Sequence, residues 1–275
     1  MNASSTAALT LQLLARPTPR VDLSALTPDR LAGRSADAIR HLPLWVGNRQ
    51  FATGDLFAVT AGDTDDILIR SDSDRLDGIG TGMSRGRLRV EGQAGAFLGQ
   101  QQRGGMIRVS GDVGPFAGSG MTGGTIEIGG NAGDFLGGAI PGERRGMRGG
   151  RILVHGNAGD RVGDHQRRGL ILIGGNAGDY CGSRLVAGTI AVLGHTGANL
   201  GFAMRRGTLL LTTEPTLLPT FNPNGTQTLG FLALLGDDLA GLDGPFAQLG
   251  TYGNRVHRWL GDLGCGGQGE VLVWA

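Results

Sequence analysis

The sequence predicts a mainly β chain, a right-handed parallel β-helix of about seven to eight coils flanked by small α/β segments. Three observations carry this: an excess of glycine, a repeat of nineteen residues, and apolar columns two residues apart. Glycine supplies 53 of 275 residues, far above the usual roughly 7%, and without the every-third-residue period of collagen. One glycine column opens each unit at Gly86, Gly105, Gly124, Gly150, Gly169, Gly188 and Gly207, in steps of 19, 19, 26, 19, 19 and 19. The longer step holds a seven-residue insertion in the stretch GAIPGERRGMRG, whose proline, glycines and arginines mark a projecting loop. Two more columns keep the phase, Gly95, Gly114, Gly133, Gly159, Gly178 and Gly197, then Gly99, Gly118, Gly137, Gly163, Gly182 and Gly201.

Between the glycines run Leu88, Ile107, Ile126, Ile152, Ile171, Ile190 and Leu209, with Val90, Val109, Ile128, Val154, Ile173, Val192 and Leu211 two positions later. Spacing by two places both sets on one face of a strand. Leu98, Ala117, Leu136, Val162, Cys181 and Leu200 form a further inward column, and Ala94, Val113, Ala132, Ala158, Ala177 and Thr196 a smaller one. Nineteen residues at about 3.3 Å each give a contour near 60 Å, enough for one closed coil of three short strands. Glycine is expected at the corners, where φ is positive or the next coil approaches closely. Polar residues at Gln93, Asp112, Asn131, Asn157, Asn176 and His195 precede the small column and are expected to satisfy corner backbone groups.

The flanks are less regular. Residues 1–65 read as an α/β cap: LTLQLL is strand-like, Thr27 before Pro28 and Asp29 starts a helix, and LWVG and DLFAVT are strand-like. The β-helix occupies residues 66–214. Residues 215–275 form a C-terminal cap, with a helical stretch near Phe231 to Leu242 and a closing strand EVLVWA.

A net charge of +1 provides no overall field for nucleic acid or a membrane surface. Two cysteines, Cys181 and Cys265, cannot frame a disulfide scaffold, and MNASSTAALTLQLLARP lacks a signal-like apolar region, so a cytoplasmic chain is expected. No run reaches the length of a membrane span.

The motif GNAGD at Gly130–Asp134, Gly156–Asp160 and Gly175–Asp179 resembles the GXGXG β-helix shared by glutamate synthase and the C-type subunit of formylmethanofuran dehydrogenase. The pair Gly261 and Asp262, the segment GQGEVLV (Gly267–Val273), LWVGN (Leu44–Asn48) and the Leu56–Phe57 pair are similar to that C-type subunit, so the resemblance spans nearly the whole chain. Such C-type proteins occur in archaeal formylmethanofuran dehydrogenases and in the bacterial formyltransferase/hydrolase complex. The total lack of lysine, with 25 basic residues all arginine, fits a GC-rich bacterium and the second setting. The resemblance implies a scaffold that binds no cofactor itself. Its partners would be an amidohydrolase-like A component, a B component and a formyltransferase D component. These would pass a formyl group from formyl-tetrahydromethanopterin through a methanofuran-type carrier to formate. An archaeal C-type protein and a free-standing glutamate-synthase-like structural domain remain the alternatives.

Catalytic chemistry on this chain is not expected. His41, His155, His165, His195 and His257 fall at unrelated phases, with no metal-ligand spacing. Asp134, Asp160 and Asp179 share one column and read as a corner accepting backbone N–H groups. Cys181 is expected in the core, and Cys265 lies between glycines without an activating neighbour. Arginine stands apart. Arg103, Arg148, Arg167 and Arg205 share one column, Arg85, Arg168 and Arg206 the next, with Arg144 and Arg145 nearby in the insertion. Stacked like charges about 5 Å apart repel, so Arg103, Arg148, Arg167, Arg168, Arg205 and Arg206 are expected to dock an acidic partner surface or an anionic carrier tail. Phe97, Phe116 and Phe135 form an outward column, either an exposed strip for a partner or a surface buried under a cap.

Overall fold

The computed structural model describes residues 7–275. The first six residues, part of the stretch read as lacking a signal region, lie outside the described residues. The chain is mainly β and β-helix-like, and its framework is one large, mostly parallel sheet. Each repeat adds one strand: Arg87–Gln93, Met106–Val109, Thr125–Ile128, Arg148–Val154, Arg168–Ile173, Thr189–Val192 and Arg206–Leu211. Parallel register sets Leu88 beside Ile107, Ile107 beside Ile126, Ile126 beside Ile152, and so on through Ile171, Ile190 and Leu209. Both predicted columns are buried along their whole length. Like side chains stack because parallel strands of equal repeat length place equivalent residues side by side.

The stack continues into both flanks. Asp63–Asp72 adds Ile67 beside Leu88, and Ala8–Leu13 adds Leu9 beside Ile67 in the same parallel sense. At the other end Gln268–Trp274 lies parallel to Arg206–Leu211, with Val271 beside Leu209 and Val273 beside Leu211. One apolar core therefore runs from Leu9 to Val273. Antiparallel strands finish both edges: Phe57–Thr60 on Ala8–Leu13, and Arg255–Gly261 then Asn222–Thr228 on Gln268–Trp274. The helix start at Thr27 is observed, its hydroxyl accepting from Arg30 N, but the helix is only Pro28–Leu31. Gly33 at φ 72° interrupts it, and Ser35 starts a second short helix, Ala36–Arg40.

The expectation of three strands per coil is corrected. One side is sheet, and a second is reduced to a single parallel bridge per repeat, Ala94–Val113–Ala132–Ala158–Ala177–Thr196. The remaining side is a turn whose N–H groups point alternately to the coils above and below. Phe116 N donates to Asp134 O at 2.9 Å, whereas Gly118 N donates to Leu98 O at 2.8 Å. Left-handed residues close together reverse the backbone there, so no ladder of consecutive pairs forms.

The glycine columns divide by cause. The opening column holds φ of 71–105° and the third 60–69°, both left-handed. The middle column has no such φ. A Cβ there would lie 2.2–2.8 Å from the preceding coil, so glycine serves close approach. Non-glycine residues also occupy left-handed corners: Phe97, Phe116, Phe135, Arg161, Tyr180 and Asn199 at φ 58–63°. That conformation costs an L-residue about 1–2 kcal/mol, and the side chains at this corner recover much of it by stacking. The rings of Phe97 and Phe116 lie 5.3 Å apart and those of Phe116 and Phe135 4.9 Å, while Arg161 sits over Phe135 at 5.8 Å and Tyr180 at 4.6 Å. The phenylalanine column is thus half-buried, mainly against itself.

The outer face of the sheet changes character midway. Its column reads Arg89, Arg108 and Glu127, then Leu153, Leu172, Ala191 and Leu210. The apolar half packs with Leu232, Leu239, Phe246, Leu249 and Val256 of the C-terminal segment in a second core. That segment contains the expected helix, at Gly230–Leu239, and the 3-10 turn Gly244–Tyr252. At the boundary His155 Nε2 lies 3.2 Å from Glu127 and its ring tilts against Phe246.

Asp262 fastens the last repeat. It is buried and accepts Ala203 N at 3.0 Å and Gly264 N at 2.9 Å. Burial pushes its carboxyl up, but nearby Thr220, whose hydroxyl oxygen closes no regular hydrogen bond, and the two N–H groups outweigh it and hold the group below the usual carboxylate range. Gly261 precedes it because a Cβ there would meet the Phe221 ring at 2.4 Å.

Ile152→Ala is expected to cost about 2–5 kcal/mol, read as a lowered urea midpoint. Gly114→Ala puts a methyl 2.7 Å from the Gly95 carbonyl carbon, so it should destabilise far more than Gly142→Ala, which meets nothing within 4 Å and carries only the φ penalty. Asp262 has a depressed folded pKa, so its contribution is complete above the ordinary carboxylate value near pH 4 and disappears as pH falls through the lower folded value. Asp262→Asn should therefore lower stability at pH 7 by about 1–3 kcal/mol and flatten the loss below pH 4, measured by unfolding at several pH values.

Candidate functional site

All six arginines singled out from the sequence are exposed: Arg103, Arg167 and Arg205 in the turns that lead into the sheet strands, and Arg148, Arg168 and Arg206 at the first position of theirs. The backbone N–H groups of Arg103, Arg148, Arg167 and Arg205 donate to the carbonyls of Met83, Met121, Met147 and Leu185 at 2.7–2.8 Å. These bonds seat the four in one column, interrupted by Thr122 and Val186. Arg168 stands opposite Arg148 across a register shift, and Arg206 opposite Gln268, to whose Oε1 its Nε donates at 3.0 Å. Among the described residues none of the six has a carboxylate within 4.0 Å, although most arginines elsewhere on the sheet do. Arg85, read into the second column, is one of those, 3.3 Å from Asp65.

Beneath the arginine turns runs an inward column the sequence reading missed: Met83, Gln102, Met121, Met147, Gln166, Leu185 and Met204, all buried. Gln166 Nε2 donates to the carbonyls of Arg168 and Gly169 at 3.4 and 3.0 Å, bracing the turn from inside, and Gln102 braces Gly104 and Gly105 in the same way. Recurrence of methionine at the repeat spacing was the available signal.

The insertion lies across this corner and separates two recesses. The smaller, about 160 Å³, is lined by Gln100, Gln101, Ser119, Glu143, Arg145 and Arg148. The larger, about 380 Å³, is lined by Arg144, His165, Arg167, Arg184, Arg205 and Cys265, with Val186 and Ala203 between them. It therefore joins two arginines of the predicted column to four residues outside it. Arg184 is held in place by Asp164, whose carboxylate is almost fully buried: Nε donates to Oδ1 at 2.9 Å, Nη2 to Oδ2 at 2.6 Å, and Ser183 Oγ donates to Oδ1 at 2.7 Å. His165 is pushed below its ordinary pKa, first by burial and then by the guanidiniums of Arg184, Arg167 and Arg144, against an opposing pull from Asp164.

Other candidates resolve into architecture. Asp134, Asp160 and Asp179 each accept an N–H from the next coil, those of Asp160, Asp179 and Ala198, at 2.8–2.9 Å. Asp112, Asn131, Asn157 and Asn176 do the same for Asn131, Asn157, Asn176 and His195. Cys181 is core, its thiol pushed up to about 12 by burial, and Cys265 is exposed. Among the described residues no three histidine, cysteine or carboxylate groups cluster as metal ligands, and no helix is long and apolar enough to cross a membrane.

A family profile described as the GXGXG motif matches residues 75–224. The chain is 47% identical over 264 residues to the C-type subunit of the formyltransferase/hydrolase complex Fhc of Methylorubrum extorquens, covering 96% of this chain and 98% of that one. It is 36% identical over 84 residues to the C-type subunit of a molybdenum-containing formylmethanofuran dehydrogenase of Methanosarcina barkeri, covering 29% of this chain and 28% of that one. In three dimensions it resembles a chain in the crystal structure of the M. extorquens formyltransferase/hydrolase complex (FhcABCD) with methylofuran. The TM-score is 0.88 at 41% identity, covering 97% of this chain and 99% of that one. With a repeat profile over more than half its length and a relative aligned almost end to end, the chain belongs to the GXGXG proteins that form the C-type subunit family of formylmethanofuran dehydrogenase and the formyltransferase/hydrolase complex.

Proposed function

We propose that this chain is the C-type subunit of a formyltransferase/hydrolase complex and that its own contribution is structural. The observation that carries this reading is an end-to-end likeness to such a subunit, joined to a centre packed with aliphatic side chains. The similarity to an archaeal C-type protein is confined to 29% of the chain, which favours the bacterial complex. In this reading the stack is a right-handed helix of about seven to eight coils, with residues 1–65 and 215–275 as its caps and 66–214 as the helix proper.

The partners are an amidohydrolase-like A component, a B component and a formyltransferase D component. Together they convert formyl-tetrahydromethanopterin, through a methanofuran-type carrier, to formate in methylotrophic formaldehyde oxidation. This chain supplies no catalytic group and binds neither carrier at its reacting end. Its two unpaired cysteines suit the reducing cytoplasm. Arg103, Arg148, Arg167, Arg168, Arg205 and Arg206 form the docking edge for an acidic partner surface or the anionic part of the carrier. Six exposed guanidiniums without carboxylate partners repel one another until something anionic faces them.

Co-expression with the A, B and D components should return a stable complex that releases formate, while the purified chain alone releases none. Turnover by the chain alone, or its failure to co-purify, would overturn the reading. Replacing all six arginines with glutamine is expected to weaken assembly or raise the KM for the carrier, and an unchanged complex would remove the docking role.

A further inference from the structure

We propose that the C-terminal end of the coil stack carries an unfilled rung, which takes one extended polypeptide segment of another subunit, paired through its main chain to Thr196, Asn199 and Leu200. The inference rests on the proposed function, because the complex supplies the segment.

Main-chain pairing is the first argument. The sheet side of the last coil is closed by Gln268–Trp274, but the bridge side is not. In the coil below, Ala177 uses both its backbone groups on the coil above: its N–H donates to His195 O at 2.9 Å, and its carbonyl accepts from Gly197 N at 2.9 Å. At the neighbouring corner Tyr180 N donates to Ala198 O and Gly201 N to Cys181 O, both at 2.8 Å. One coil later the equivalent groups are the N–H and carbonyl of Thr196, the N–H of Asn199 and the carbonyl of Leu200, and none has a partner among the described residues. Thr196 Oγ1 is also buried without one. Edge groups left in this state are a template for a further strand.

The chain's own continuation does not fill the place. Thr212 and Thr213 still reach the coil below, their hydroxyls donating to the carbonyls of Leu193 and Gly194 at 2.6 and 2.9 Å. Pro215 and Pro219 then fall at the repeat positions of Thr196 and Leu200. Leu218 stands at the position of left-handed Asn199, but a residue before proline is held extended, and Leu218 has no positive φ. The chain leaves the coil path, and a slot of about 390 Å³ opens, lined by Thr196, Ala198, Asn199, Leu217, Leu218 and Pro219.

Shape and charge set the occupant. No titratable side chain lines the slot, so it suits an uncharged segment rather than an ion. Equivalent coils match residue for residue, so about five residues would pair along Thr196 to Leu200. A small residue would lie above Thr196, as Ala177 lies above Ala158. Glycine would follow it, because a Cβ at that position of the repeat lies 2.2–2.8 Å from the coil below. A second copy of this chain is a poor occupant: its matching edge is walled by its own Leu217, Leu218 and Pro219, so two such edges cannot meet, whereas a tail or loop can enter.

The test is hydrogen–deuterium exchange, resolved to single amides, on the full-length chain alone and in the complex co-expressed with the A, B and D components. In the free chain the Thr196 and Asn199 amides should exchange at least tenfold faster than those of Ala177 and Tyr180. Assembly should slow both at least tenfold and leave Ala177 and Tyr180 within twofold. Ala198→Trp blocks the slot at a column position that holds Pro115 and Asp179 in other coils, so it should fold, as its unfolding midpoint will confirm. It should prevent assembly or return both amides to their free-chain rates, whereas Ala198→Ser should keep the wild-type pattern. Photo-crosslinking from Thr216→p-benzoylphenylalanine in the complex should mark one segment of A, B or D. A crosslink to a second copy of this chain or to no protein would overturn the inference, as would Thr196 and Asn199 amides already as slow as Ala177 in the free chain. Intact assembly with unchanged amides strikes this inference alone, whereas failure to assemble strikes the proposed function and this inference with it.

Discussion

Every other feature of this chain depends on the lateral hydrogen bonding of parallel strands, which sets one coil on the next at a fixed spacing of about 4.8 Å. That spacing leaves no freedom in what may stand above what. A residue whose N–H meets the carbonyl of the coil below is committed to the environment of its equivalents, inward for Ile126, Ile152 and Ile171, outward for Leu153 and Leu172. A unit of nineteen residues has no core of its own and gains one only by sharing faces with its neighbours. Apolar burial at about 25 cal/mol per Å² then accumulates down the columns rather than within any single repeat.

This constraint explains why the sheet columns were legible in the sequence and the turns were not. Ile, Val and Leu recur because each repeat offers them the same slot. The corner at Phe97, Phe116, Phe135, Arg161, Tyr180 and Asn199 shares a backbone conformation and no common side-chain chemistry, so periodicity in hydrophobicity does not disclose it. The middle glycine column was recognised, but only coordinates separate its cause, contact with the coil below, from the left-handed backbone of the other two. The coverage of the outer face could have been read from the change of Glu127 to Leu153 in one column, a signal overshadowed by the inward repeat beside it.

The candidate site shows the same division. Arg167 and Arg205 were visible as a column because they repeat. Arg184, His165, Arg144 and Cys265 were not, since two occupy a turn position whose equivalents are Gln101, Gly120 and Ala203, one lies in the insertion, and one arrives from the C-terminal turn behind Asp262. A charged cavity assembled from different turns has no period to detect. Buried Asp164 likewise has no counterpart in its column, where Ser119 and Ser183 stand.

The antiparallel strands at both margins give the stack a defined length. From Leu9 to Val271 the inward column advances through nine parallel steps, roughly 40 Å, and is bounded by Phe57–Thr60 on one side and by the Arg255–Gly261 hairpin on the other. Free parallel edges would accept further copies and grow into fibres. With both edges occupied, the molecule behaves as a gauge rod, whose number of repeats sets the separation between anything fixed to one end and anything fixed to the other. Adding or deleting a single nineteen-residue unit would alter that separation by one rung while leaving the interior unchanged.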